Sequence, residues 1–298
     1  MICDEVLPPI FIINLPDSVE RRDHMVRQMS ALNCGFEFIE GVNGRNLTHE
    51  ELKDYDRDLA IKNPIGEDHR DLTAGEIGCA MSHLKIYRKI VAEDIEEAVI
   101  IEDDAVLAPE FAQIIRNRRQ FPDDWMVVWL GHLSNYLFSV GVVAAFRGRK
   151  KIYGKYRLAR FVDYPWGGNA YFIKRKAASL LLDFGYPIRM PADLLLTGNH
   201  GEIRVPLYGI EPPCAIYDDG QFKSTIHTGG MPTFWKNLKT GTSRGRLIGF
   251  LVRHQRLYTF MEHHPQVYSS LKYVFDLARS IQRSPVIMAR QLGILKWG

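Results

Sequence analysis

Glu102, Asp103 and Asp104 stand in a row directly after the apolar, β-branched run Ala98-Val99-Ile100-Ile101. Such a run reads as a short buried strand. Three like charges at the edge of a low-dielectric core are expensive unless a cation or hydrogen-bond donors neutralise them. A hard divalent cation is the simplest neutraliser, because Mg²⁺ and Mn²⁺ take oxygen ligands and bridge carboxylates to phosphates. In extended chain Glu102 and Asp104 would face one side and Asp103 the other. Two further readings stay open on these residues alone: a solvated turn with a helix-capping acid ahead of Pro109, and a Mg-dependent phosphoryl-transfer site.

The elements around the acids set their position. "PPIFIINLPD" predicts a strand closed by Pro16, and Asp17 with Glu20 marks a helix start. Met25, Met29 and Leu32 continue that helix to Asn33-Cys34-Gly35, after which "FEFIE" reads as a strand and "GVNGR" as a turn. A polar stretch over 48–71 reads as surface helix and loop. "LTAGEIGCAMSHLKIYRKIVAE" is the strongest helix, with a capping box from Thr73 and Glu76 and a buried face of Ile77, Met81, Leu84, Tyr87 and Val91. Gly75, Gly78 and Ser82 form a second stripe; glycine weakens a helix, so another element is expected to approach that face closely. "WMVVWLGH" predicts a buried strand, and "GGNAYFIKRKAASLLLDF" a strand followed by a helix. Strands alternating with helices imply an α/β fold with a mainly parallel central sheet and helices on both faces. Ligands of such sheets sit at the carboxyl ends of the strands, where the triple acid lies.

Composition narrows the class. With 46% apolar and 24% charged residues among 298, the chain can bury a sizeable core. Four cysteines without a CxxC pair predict free thiols and no structural zinc site. "MICDEVLPPI" carries acids where a signal peptide needs bases, and no stretch reaches the roughly 20 apolar residues of a membrane span. A cytoplasmic location is therefore expected. The net charge of +3 is uneven: eleven Lys/Arg against two acids lie beyond residue 234, and "RGRKKIYGKYRLAR" (147–160) holds seven Lys/Arg and no acid. Anionic partners follow from that asymmetry. Nucleic acid is not expected among them, since no reading motif accompanies the charge and the acidic body would repel a polyanion.

Four segments, "IFIINLPDSVERRDHMVRQMSALNCGFEFIEGVNGR", "LTAGEIGCAMSHLKIYRKIV", "AVIIEDDAVLAPEF" and "GGNAYFIKRKAASLLL", resemble glycosyltransferase family 25 in their order and spacing. The resemblance runs over about residues 9–225. It implies a GT-A-type nucleotide-sugar-binding fold, a UDP-sugar donor, Mn²⁺ (or Mg²⁺), and inversion at the anomeric carbon. A hexose, galactose before glucose, would pass to a lipooligosaccharide or lipopolysaccharide core acceptor.

By the same resemblance Asp104 is a metal ligand, assisted by Asp103 or by Glu102, which would also contact the ribose. His227 is the candidate late histidine ligand. The general base is assigned to Asp193 in "MPADLLL", with an N-cap role as its plainer reading and Asp163, Asp218 and Asp219 as rivals. Ile13, Asn14 and Leu15 would line the uridine edge, joined by Arg21 in "ERR" and by Val42, Asn43 and Arg45 after the second strand. Gly78, Ser82 and His83 lie on the closely approached helix stripe.

The catalytic domain is expected over 1–234 and a basic helical region over 235–298. In that region Leu247, Phe250, Leu251, Leu257 and Phe260 share a helical face bordered by arginines, a pattern suited to an anionic membrane surface. The chain is accordingly expected to be peripheral on the cytoplasmic face of a bacterial inner membrane.

Overall fold

The computed structural model describes residues 7–63, 69–132, 149–161, 165 and 167–217. In chain order the strands are β1 (Ile10–Asn14), β2 (Glu37–Glu40), β3 (Glu97–Glu102), β4 (Ala105–Leu107), β5 (Val127–Trp129), β6 (Lys150–Tyr153), β7 (Tyr156–Arg160), β8 (Ala170–Lys174), β9 (Leu207–Glu211) and β10 (Ala215–Tyr217). The α-helices are α1 (Val19–Ala31), α2 (Arg57–Lys62), α3 (Ala74–Ala92), α4 (Phe111–Arg116), α5 (Arg175–Gly185), α6 (Ala192–Leu196) and α7 (Gly198–Gly201).

Eight strands make one sheet in the order β2-β1-β3-β8-β5-β9-β7-β6, and β4 pairs with β10 in a small separate ribbon. Six of the eight run the same way. β8 and β7 run against them, so β8 is antiparallel to both β3 and β5. The α/β class and the mainly parallel sheet both hold, with β7 and β8 as the two reversed strands. The antiparallel β8 turns its start, and not its end, toward the carboxyl ends of its neighbours.

Strand alternation divides the core into two layers. Phe11, Ile100, Trp129 and Tyr171 face one cluster with α3, α5 and α6. Ile10, Ile12, Val99, Ile101, Val128 and Phe172 face the other, with Met25 and Met29 of α1 and with α4. Both faces of the central strands are covered, which is why β3 reads as a continuous apolar run.

Local signals explain the helix bounds. Both halves of the Thr73–Glu76 capping box form at the start of α3. α1 begins after Ser18 rather than Asp17, with no side-chain cap bond. Asn33, at φ +50°, takes the left-handed turn beyond α1. Pro191, not Asp193, occupies the N-cap position of α6.

The basic segment 147–160 is a strand pair in the part described. Residues 150–160 form the β6–β7 hairpin at the sheet edge, with Gly154 in the left-handed conformation at the turn. Ile152, Tyr156 and Leu158 point into the core while Lys150, Lys151 and Arg157 stay outside. Two of the cations have partners within the chain, Arg149 with Glu211 and Arg160 with Asp124.

The small-residue stripe on α3 meets the turn after β2. A Cβ at Gly78 would lie 2.5 Å from both Gly44 N and Val42 O. Alanine at Gly78 therefore meets backbone that must move. Overpacking costs about 1–3 kcal/mol, against a helix-propensity gain of about 1 kcal/mol. Gly78→Ala is expected to lower the urea midpoint, and Gly78→Val to lower it further. An unchanged midpoint in both would mean that the turn yields freely.

Candidate active site

β1 and β3 lie side by side in register, with Ile13 opposite Glu102, so Asn14 and the three acids end together. The chain turns at Asp103–Asp104 before β4. That turn overrides the alternation expected of extended chain: Glu102 faces α3, while Asp103 and Asp104 both face α1. Arg21 Nη1 donates to Asp103 Oδ1 at 2.8 Å and to Asp104 Oδ2 at 3.2 Å, and all three residues are buried. Asn14 Nδ2 donates to Asp103 Oδ2 at 2.8 Å. Arg21 thus meets two of the acids.

The charge remains incompletely balanced. Asp103 and Asp104 share one guanidinium, which leaves one negative charge at that contact when both are ionised, and Glu102 adds its own charge from the α3 side. Burial pushes the Asp104 carboxyl up to about 7, with Glu102 adding to the rise and Arg21 opposing it. Burial also raises Asp103, against the pull of Arg21 and Asn14. Asp104 Oδ1 is buried and has no hydrogen-bond partner among the described residues. A dication fits these observations, since uncompensated carboxylate charge and a buried orphan oxygen are what a hard cation satisfies. Asp104 and Asp103 are the residues that would hold it. His227 lies outside the described residues, as do the rival bases Asp163, Asp218 and Asp219.

Beside the acids lies a cavity of roughly 280 Å³ lined by Asn14, Pro16, Arg22, Phe38 and Glu40. The Arg22 guanidinium sits 3.9 Å from the centre of the Phe38 ring, a cation–π contact over a flat aromatic floor. Ile13 and Leu15 pack against the position a Gly41 side chain would take, and Gly41 N donates to Asn14 O. Phe38 and Glu40 were not among the candidate residues. Their signal was the alternation of "FEFIE", which sets positions 38 and 40 on one side of β2.

Other candidates hold the frame. Ser82 Oγ accepts from Val42 N at 2.8 Å and donates to Gly78 O at 2.7 Å. Asn43 accepts from Arg45 N and starts a short 3₁₀ turn, with Arg45 exposed. With Gly78, these residues clamp the β2 turn onto α3. His83 is fully buried, with Nδ1 2.6 Å from the Tyr171 hydroxyl and Nε2 3.3 Å from Glu102 Oε1.

Asp193 lies on the first turn of α6. Its Oδ2 accepts from Gly167 N at 3.1 Å and its Oδ1 from Leu194 N at 2.9 Å. Burial raises its carboxyl above the usual range; the two backbone donors oppose the rise, and Glu102 adds to it. Asp193 therefore feels the charge of the acidic motif, and it reaches the segment leading into β8.

Comparison with known proteins agrees with the motif order. Residues 7–196 match glycosyltransferase family 25 (LPS biosynthesis protein). Procollagen galactosyltransferase 2 of Mus musculus is 29% identical over 128 residues, covering 41% of this chain and 20% of that protein. A glycosyltransferase 25 family member of Aedes aegypti is 35% identical over 130 residues, covering 41% and 21%. Inactive glycosyltransferase 25 family member 3 of Mus musculus is 28% identical over 128 residues, again covering 41% and 21%. The chain thus spans about a fifth of the length of these curated relatives. The family match takes in β1, the capping-box helix, the strand-end acids and Asp193, and it extends over more than half of the sequence: the chain belongs to glycosyltransferase family 25.

Proposed function

We propose that this protein is a UDP-sugar-dependent hexosyltransferase that inverts configuration at the anomeric carbon. The observation that carries the reading is the uncompensated charge at Asp103 and Asp104, which share one guanidinium, with the orphan Asp104 Oδ1, beside a cavity lined by Phe38. A nucleoside diphosphate needs a cation for its phosphates and a surface for its base; Asp103 and Asp104 could hold the first, and Phe38 with Arg22 could offer the second. Bound Mn²⁺ or Mg²⁺ would supply Lewis-acid stabilisation of the charge on a departing diphosphate.

The chain's own groups account for the remaining chemistry. An acceptor hydroxyl attacks the anomeric carbon, its oxygen–carbon bond forms as the bond to UDP breaks, and Asp193 takes the hydroxyl proton. A raised carboxyl is better matched to that task near neutral pH than an ordinary aspartate. Arg21 holds Asp103 and Asp104 in place, and Arg22 with Phe38 offers a stacking surface for a planar base. Galactose is favoured as the sugar, because a relative matched by this chain is named as a galactosyltransferase, with glucose next. The family's description names LPS biosynthesis, which supports a lipopolysaccharide acceptor; the core is our choice within it.

Among the described residues no helix is long and apolar enough to cross a membrane. The basic region 235–298, proposed to rest on an anionic membrane surface beside that acceptor, lies outside the described residues.

A donor panel tests the reading. UDP-galactose, UDP-glucose and their N-acetyl forms are incubated with the full chain and Mn²⁺, and UDP release is followed. Release is expected with UDP-galactose above the others, and EDTA is expected to stop it. No release from any UDP-sugar, together with no thermal protection by UDP, would exclude the UDP-sugar reading.

A further inference from the structure

Tyr171 sits in the middle of β8, opposite Ile100 of β3 and Trp129 of β5. Its hydroxyl lies 2.9 Å from that of Tyr87 and 2.6 Å from His83 Nδ1. The His83 ring stacks on the Tyr171 ring at 5.7 Å, and Nε2 faces Glu102. Tyr87, Tyr171 and His83 are all fully buried. One hydrogen-bonded line therefore runs from the core to the first acid of the strand-end motif.

The hydrogens give that line a direction. Among the described residues the Tyr87 hydroxyl meets no polar partner except Tyr171, so its hydrogen has one acceptor. The Tyr171 hydrogen is then free to go to His83 Nδ1, which must be an unprotonated acceptor. The imidazole hydrogen lies on Nε2 and points at Glu102. In this arrangement every hydrogen is donated and the line ends on a carboxylate. The reverse direction strands the Tyr87 hydrogen in the core and sets the Nε2 lone pair against Glu102. An imidazolium strands the same hydrogen. A buried donor without a partner is costly, which decides between them. Burial also keeps both phenols protonated, as the line requires.

We infer that Tyr87 and Tyr171 fix His83 as the neutral Nε2–H tautomer, and that His83 so fixed is the positioning residue for Glu102. The tautomer follows from the hydrogen count; the consequence for turnover rests on the proposed function. Glu102 is then held at the α3 side of the site while Arg21 holds Asp103 and Asp104 at the α1 side, so the three acids are pinned from opposite layers.

A competing use of the same atoms predicts the opposite tautomer. Donor atoms of Cys79, His83 and Glu102 lie within 4.8 Å of one another, a spacing that could hold a metal ion. A metal there would take the Nε2 lone pair, place the hydrogen on Nδ1 and strand that of Tyr87. Burial also holds the Cys79 thiol protonated, with Glu102 contributing to that rise.

The test uses ¹⁵N-histidine-labelled full chain, with His83 assigned by loss of its signals in His83→Gln. The Nε2–H pattern is expected in metal-free protein and after addition of Zn²⁺. An Nδ1–H pattern, an imidazolium, or conversion by Zn²⁺ would overturn the inference. This readout needs no substrate, so it stands apart from the donor panel.

Kinetics supply the second measurement. Loss of a hydrogen bond to a group that orients a site residue typically lowers activity about 10- to 100-fold. Tyr171→Phe is expected to lose kcat in that range with donor KM nearly unchanged, and Tyr87→Phe to lose less, because Tyr171 still donates to His83. An unaltered kcat in folded Tyr171→Phe would remove the positioning role. A wild-type chain inactive with every UDP-sugar would sink the functional reading and leave the tautomer to decide.

Discussion

Asp104→Asn is expected to cut transfer by at least about a hundredfold, on the order of 3 kcal/mol of lost stabilisation of developing charge. Asparagine preserves size and one oxygen but removes the charge that, with Asp103, would hold a dication. UDP affinity in Mn²⁺ is expected to weaken as well, read by calorimetry.

The same substitution should leave the fold intact and, without a divalent ion, make it more stable at neutral and alkaline pH. The Asp104 carboxyl is raised to about 7 by burial and by Glu102. A group shifted upward contributes stability that is fully present below its unfolded value near 4 and is lost as pH rises through about 7. Asparagine cannot ionise, so its thermal midpoint should fall less than the wild type's between about pH 4 and 8 in EDTA. Near-wild-type turnover in Asp104→Asn would remove this residue from the site.

Asp193 separates binding from chemistry. A general base contributes about 10²- to 10⁴-fold, and Asp193→Ala is expected to lose transfer within that range while UDP binding persists. The base acts on the acceptor hydroxyl, which the nucleotide does not touch. Truncation also strips acceptors from Gly167 N and Leu194 N, at a cost of about 1–3 kcal/mol for a buried donor left unpaired. Turnover is therefore to be normalised to folded protein. Asp193→Asn, which keeps an oxygen for Leu194 N, should recover stability without recovering turnover. Normal turnover in either variant, or loss of UDP binding in both, would contradict the assignment.

The residues differ in how openly they declared these roles. The strand-end acids were legible because a β-branched run entering three carboxylates is a local conflict visible over seven residues. The α3 capping box and the Gly78 approach were legible for the same reason, each being a short pattern with one physical cause. Arg21 was legible as a candidate but not in its partner, since its contact with Asp103 spans 82 positions. Tyr171 gave no signal at all: within "AYFIK" it reads as an ordinary core aromatic, and only pairing of β3 with β8 brings its hydroxyl to His83. The β6–β7 hairpin was hidden by composition, because lysines and arginines at its outward positions masked the inward Ile152, Tyr156 and Leu158. The reversed direction of β8 was hidden by connectivity, which alternation of elements does not specify.

That reversed strand also shapes how the protein is made. β8 is the seam between β2-β1-β3 on one side and β5-β9-β7-β6 on the other, and its residues 170–174 are translated some seventy positions after β3. A nascent chain can assemble the three parallel strands once Glu102 has emerged. The outer edge of β3, carrying Val99, Ile100 and Ile101, then waits for Tyr171 and Phe172 to be synthesised. An unpaired apolar edge is a template for association with other chains, and at about 5–20 residues per second the wait lasts several seconds. The strand that aligns the site is thus also the one whose late arrival leaves the half-made sheet open to chaperones and to other nascent chains.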